Sequence, residues 1–151
     1  MFDIDYVMDL LDWNNSAEKQ MQGIKLAREI KCINVFLQPG LPYGKSVWNN
    51  CAKILSERTN EELSPYLIDL MEWLQDMNWP GAFDIYARIK RMNVDCIMEN
   101  YIYAIKIALK YQDINWLDYL SGLIENPEVY KLLPEEYQKL MTKYYNDFWK
   151  E

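Results

Sequence analysis

The stretch Ile97-Met98-Glu99-Asn100-Tyr101-Ile102-Tyr103-Ala104-Ile105-Lys106-Ile107-Ala108 settles the fold class. Ile97, Tyr101, Ala104, Ile105 and Ala108 return at steps of three and four residues, which stacks them as one stripe along an α-helix. A half-buried strand would instead alternate at every second residue. Tyr137, Leu140, Met141, Tyr144 and Phe148 form a second stripe of the same kind, and sustained strand-like alternation is hard to find anywhere. The chain is therefore read as all-α.

Working outward, Pro65, Pro80 and Pro134 each stand where a new helix can begin, because proline fits the first helical turn. Ser64 is placed to cap the helix that Pro65 opens. Caps and stripes together predict helices near residues 3–12, 16–32, 46–57, 64–76, 80–91, 95–111, 113–124 and 134–149, within a single domain over residues 1–151. Between residues 33 and 45, Pro39, Gly40, Pro42 and Gly44 suit consecutive turns. Gly40-Leu41-Pro42-Tyr43-Gly44-Lys45-Ser46 has the outline of a P-loop, but one residue is missing between its glycines and Pro42 lacks the N–H that a phosphate cradle uses. It reads as a turn whose Ser46 caps the next helix.

A weak repeat punctuates the pattern. Asp12-Trp13-Asn14, Asp76-Met77-Asn78-Trp79 and Asp113-Ile114-Asn115-Trp116 each fall between expected helices, with Asp and Asn suited to accepting backbone N–H groups. Helix pairs of this length leave apolar faces that neighbouring pairs cover. The expected architecture is a short stack of antiparallel helix pairs, an α-α superhelix, with a compact orthogonal helical bundle as the alternative.

Composition bounds the rest. Half of the 151 residues are hydrophobic and 15% are aromatic, enough for a sizeable core without a metal or disulfide staple. Cys32, Cys51 and Cys96 are three in number and far apart, which suits reduced core thiols in a cytoplasmic protein better than a disulfide framework. The net charge of -7 disfavours a phosphate-tracking surface, so nucleic acid is not expected as a partner. No apolar run reaches the length of a membrane span, and the start of the chain lacks the order of a signal peptide.

Leu70-Met71-Glu72-Trp73-Leu74-Gln75-Asp76-Met77-Asn78-Trp79-Pro80-Gly81-Ala82 is the densest signature, with Cys51-Ala52-Lys53-Ile54-Leu55 and Glu61-Glu62-Leu63-Ser64-Pro65-Tyr66-Leu67 before it. Over about residues 46–92 the chain resembles the bacterial family called domain of unknown function 5071. The resemblance implies a small bacterial helical protein in the style of HEAT-like repeats. It brings no activity and no catalytic residues.

The residues of the signature also have a structural reading. Trp73 near one helix end and Trp79 before the proline that opens the next would pin the angle between two helices. In the functional reading, Asp69, Glu72 and Asp76, spaced by three and four, form an acidic stripe for a partner's Lys or Arg. The absence of histidine removes Ser-His-Asp, Cys-His and His-bearing zinc sites, leaving carboxylate pairs such as Asp113 with Glu99 or Asp84 with Glu72. Arg88-Lys90-Arg91 and Lys106-Lys110 are basic clusters that suit helix C-termini or, if they converge, an anion. The aromatic run that ends in Phe148-Trp149 packs at the terminus or leaves Tyr145 or Trp149 as an exposed anchor.

The expectation drawn from these features is a non-catalytic protein-binding domain, a toxin-neutralising or adaptor protein, that contacts a basic protein through Glu72, Asp76, Asn78 and Trp79. No cofactor or metal is expected. The alternatives are a carboxylate-dependent enzyme with a cleft site and a self-associating structural protein.

Overall fold

A computed structural model describes residues 3–39 and 43–150. Their secondary structure is all-helical, with no strand among the described residues. The helices are α1 (Ile4–Leu10), α2 (Ala17–Ala27), α3 (Trp48–Ser56), α4 (Asn60–Leu63), α5 (Leu67–Glu72), α6 (Ala82–Lys90), α7 (Val94–Lys110), α8 (Ile114–Ser121), α9 (Pro127–Leu132) and α10 (Glu135–Phe148). Tight 3-10 turns cover Ile33–Phe36, Lys45–Val47, Ser64–Tyr66, Trp73–Gln75 and Gly122–Glu125.

The apolar stripe of α7 is buried as expected: Ile97, Tyr101, Ala104, Ile105 and Ala108 line its inward face. Asp caps recur at the expected turns. Asp12 Oδ1 accepts from the Asn14 N–H at 2.8 Å, Asp76 Oδ1 from the Asn78 N–H at 2.8 Å, and Asp113 Oδ1 from the Trp116 N–H at 3.1 Å. Each satisfies a donor that a turn or a helix start leaves without a backbone partner.

Several local expectations are corrected. The helix expected over 16–32 ends at Ala27, where Arg28 caps it, and Ile33–Phe36 is a 3-10 turn. Ser64 closes α4 and makes no side-chain cap, because the chain passes from α4 straight into the Ser64–Tyr66 turn. Ser46 does not cap α3 either: its hydroxyl donates to Asp12 Oδ2 at 3.1 Å and ties the two turns together. Gly40, Leu41 and Pro42 of the P-loop-like stretch lie outside the described residues. Of the cysteines, Cys51 is buried, with its thiol pushed up to about 12 by desolvation, whereas Cys32 is exposed instead of filling the core.

Packing joins α1 to α2, α3 to α6, α5 to α7, α7 to α8, and α8 to α10. In the C-terminal half, α8 packs against α7, α10 and the Trp73–Gln75 turn. One continuous apolar core runs from Val7 in α1 to Met141 in α10. Trp116 stitches its halves: its ring is buried and its Nε1 donates to the Met71 carbonyl at 3.0 Å.

Candidate functional site

The turn between α5 and α6 is built around three tryptophans. Trp73 is fully buried, and its Nε1 donates to the Pro80 carbonyl at 3.0 Å, so the indole fixes where α6 begins. Trp48 meets Trp73 and Trp79 edge-on, with ring centroids 6.2 and 5.7 Å apart, the offset geometry that the ring quadrupole favours. Gly81 lets α6 approach this closely. Its φ of +83° lies in the left-handed region, and a Cβ there would stand 2.6 Å from the Ala52 Cβ and 2.9 Å from the Trp48 carbonyl oxygen. The expected pinning of two helices by Trp73 and Trp79 is thus present in atomic contacts.

Beside the turn lies an open groove of about 380 Å³, to which Asn78, Trp79, Asn49, Phe83 and Asp84 contribute. Asn78 is exposed, Trp79 is half-buried and Phe83 is 62% exposed. Two of the four candidate contact residues therefore share one surface.

Asp76 and Glu72 have other surroundings. Asp76 is spent on the turn, accepting from the Asn78 N–H through its side chain and from the Trp79 N–H through its carbonyl at 3.0 Å. It does not continue the acidic stripe, because the helix tightens into a 3-10 turn after Glu72 and Asp76 itself is extended, with φ -144°. Its charge falls near Tyr119 of α8, whose hydroxyl is pushed up by burial first and then by Asp76 and Asp118. Glu72, at the end of α5, is half-buried, and its carboxylate has no hydrogen bond or ion pair among the described residues. Burial and then the neighbouring Asp69 charge push its carboxyl above the usual range.

One helical turn before Glu72, Ile68 lines a second groove of about 450 Å³ between α5 and α7, together with Ile102, Tyr103, Glu99, Asn100 and Lys106. The sequence reading passed over Ile68 and Ile102. A signal was available, since Ile102 and Tyr103 fall outside the inward stripe of α7, and large apolar residues on the polar side of a helix call for a partner.

The basic clusters diverge. Lys90 donates to Glu125 Oε1 at 2.8 Å, buried Arg88 reaches the Arg58 carbonyl and Asn60, and Arg91 turns toward the Ser56 carbonyl. Lys106 lines the α5–α7 groove, while Lys110 sits over the Tyr111 ring. At the C-terminus neither Tyr145 nor Trp149 is a free anchor: Tyr145 donates to Glu125 Oε2 at 3.1 Å, and Trp149 stacks on Tyr86 at 5.3 Å. Of the carboxylates considered for catalysis, Asp113 caps α8, and the charge acting on Glu72 is that of Asp69, not Asp84. Among the described residues no group of three or more Cys, Asp or Glu is placed to hold a metal ion.

Fold and surface together define an all-helical protein with open grooves and, among the described residues, an acidic helix end without an ion-pair partner. The chain belongs to the family described as domain of unknown function 5071, whose model matches residues 45–146, well beyond the 46–92 signature. Comparison with curated proteins and with solved structures returns no match. No helix of the described residues is long and apolar enough to cross a membrane.

Proposed function

We propose that this chain is a non-catalytic protein-binding domain, a bacterial cytoplasmic adaptor or toxin-neutralising protein, that receives a basic, partly apolar segment of another protein where α5 meets α7. The observation that carries this reading is Glu72: a half-buried carboxylate beside Asp69, with no cation within ion-pair distance among the described residues. Folding leaves that charge desolvated and repelled, a cost that an incoming Lys or Arg removes. Ile68, one turn before Glu72, shares its groove with Ile102 and Tyr103 of α7, and this groove offers the apolar surface that a charge contact needs for affinity. Asn78 and Trp79 extend the contact only if the partner also reaches the neighbouring groove.

The test is affinity capture with the tagged chain at low and moderate salt, comparing Glu72→Gln and Asp69→Asn with the unaltered protein. Asp76 is left intact because its loss would unmake the turn. A specific basic partner that weakens with both variants supports the reading, and a partner indifferent to both overturns this site. A bound cation would also lower the Glu72 proton affinity, so affinity should rise with pH through the carboxyl range.

Self-association is the second reading. Tyr103, Tyr111 and Ile114 are 55%, 70% and 58% exposed along α7 and the turn into α8, an apolar surface of the kind that copies of one chain can bury. Sedimentation that yields a dimer, dissociated by Tyr111→Ser with Ile114→Ser, would favour it.

A further inference from the structure

On a chain with 16 basic and 23 acidic residues, five basic side chains gather where α3 ends: Arg28, Lys53, Arg58, Arg88 and Arg91. Glu57 holds Arg28 through two hydrogen bonds of 2.9 and 3.0 Å, and Glu62 holds Arg58 at 3.2 Å. Lys53, Arg88 and Arg91 have no carboxylate within ion-pair distance among the described residues.

Arg88 is only 7% exposed, and its guanidinium donates to neutral acceptors alone, the Arg58 carbonyl at 2.8 Å and Asn60 Oδ1 at 2.7 Å. Burial and then the charge of Arg91 hold it below its ordinary value. Arg91 approaches the Ser56 carbonyl at 3.5 Å, the outer limit of a hydrogen bond, so most of its donors remain open. The ends of α2, α3 and α6 meet here, and each carries about half a negative charge from its free carbonyls. Those partial charges, about one and a half in sum, offset part of the charge of Lys53, Arg88 and Arg91 and leave a positive excess of about one and a half.

Of these cations Arg28, Lys53 and Arg91 border a groove of about 410 Å³ lined by α2, α3 and α6, and Arg58 and Arg88 lie outside its lining. Met21, Ile24 and Ala87 supply its apolar surface, Lys53 and Arg91 its open cations, Glu57 lines it already paired with Arg28, and Asp84 lies about two turns before Arg91, the residue that caps α6. A small inorganic anion would leave the apolar side chains uncovered. A chain that alternates acidic and apolar side chains would satisfy both, and Asp84 would confine its carboxylates to the end where α3 and α6 finish.

We propose that the α2–α3–α6 groove is a docking site for an extended acidic segment of a partner protein, with carboxylates on Lys53 and Arg91 and apolar side chains on Met21, Ile24 and Ala87. This surface is distinct from the Glu72 region and opposite to it in sign, so the domain would hold an acidic segment at one place and a basic one at another.

Fluorescence anisotropy on the full chain tests this with three short labelled peptides in which Leu alternates with Glu, Gln or Lys. The Glu-Leu peptide should bind saturably and lose affinity with added salt. The double variant Lys53→Gln with Arg91→Gln, both exposed and checked for native circular dichroism, should weaken it about tenfold. Glu72→Gln should leave its affinity unchanged, so failure here is separable from failure of the Glu72 reading. The proposal is overturned by absence of saturable binding, by equal binding of the Gln-Leu peptide, by indifference to the double variant, or by displacement with inorganic phosphate at the peptide's own concentration, which marks a simple anion site.

Discussion

Gly81 and Glu72 show how far single residues reach in this fold. Gly81 carries the left-handed turn that lets α6 start against Trp48 and Trp73. Gly81→Ala adds a strained backbone and a collision with the Ala52 methyl and the Trp48 carbonyl, so it should cost about 2–4 kcal/mol in urea unfolding. Glu72 acts in the opposite sense. Because its native proton affinity is raised, the folded state holds that proton more tightly than the unfolded chain, and its contribution to stability falls as pH rises from the ordinary carboxyl value through the native one. Glu72→Gln should therefore raise the melting temperature at neutral pH and remove that part of the acid-side slope. Thermal melts of the variant across pH check the sign, and a lower melting temperature at neutral pH would contradict it.

Short elements depend on local chemistry and on what they lean against. The four residues of α4 are held by a capping box, in which Glu62 N–H donates to Thr59 Oγ1 at 3.1 Å and Thr59 N–H donates to Glu62 Oε1 at 3.2 Å. Thr59→Ala should cost about 1 kcal/mol and raise amide exchange across Asn60–Leu63 first. At the other end, α10 is fastened by Trp149, whose ring stacks on Tyr86 and whose Nε1 donates to the Asp118 carbonyl at 2.7 Å. Gly122 makes room for that stack, since a Cβ there would run into the Tyr86 hydroxyl and the Trp149 ring. Trp149→Ala should cost about 2 kcal/mol, with faster exchange confined mainly to α10, because the variant removes the stack and the hydrogen bond but leaves the Met141 anchor.

At the scale of the whole molecule, the region matched by the family model begins at residue 45, yet the core does not respect that boundary. Val7, Met8 and Leu11 of α1 and Ile24 and Ala27 of α2 belong to the same apolar cluster as α3 and α6. Buried Asn50 of α3 donates to the Leu11 carbonyl at 2.7 Å and to Gln20 Oε1 at 3.0 Å, and Arg58 donates to the Ala27 and Ile30 carbonyls, each at 2.9 Å. A fragment of residues 45–146 would expose that apolar face and strip Asn50 and Arg58 of partners, at about 1–3 kcal/mol for each polar group left unmatched. It should lack a sharp unfolding transition, whereas the full chain should unfold in one step with coincident tryptophan fluorescence and circular dichroism.

The sequence by itself determined the helical class and most long helices, since the stripe of α7 and the Asp caps are local signals that read the same in isolation as in the fold, whereas of the α10 stripe only Met141 is buried and Phe148 is 42% exposed. It also held unread local signals: the Thr59-to-Glu62 box for α4, and Asn126 before Pro127 for α9, where Asn126 Oδ1 accepts from the Glu128 N–H at 3.0 Å. Only the tertiary structure decided the surfaces. Asp69, Glu72 and Asp76 look equivalent at helical spacing, but a 3-10 turn commits Asp76 to a backbone N–H and leaves Glu72 desolvated and unpaired. Lys53 and Arg91 lie 38 positions apart and come to one groove only because α3 packs on α6. Periodicity reports which side of an element is buried, but which charges meet across elements depends on packing between residues far apart in the chain, and no local pattern encodes it.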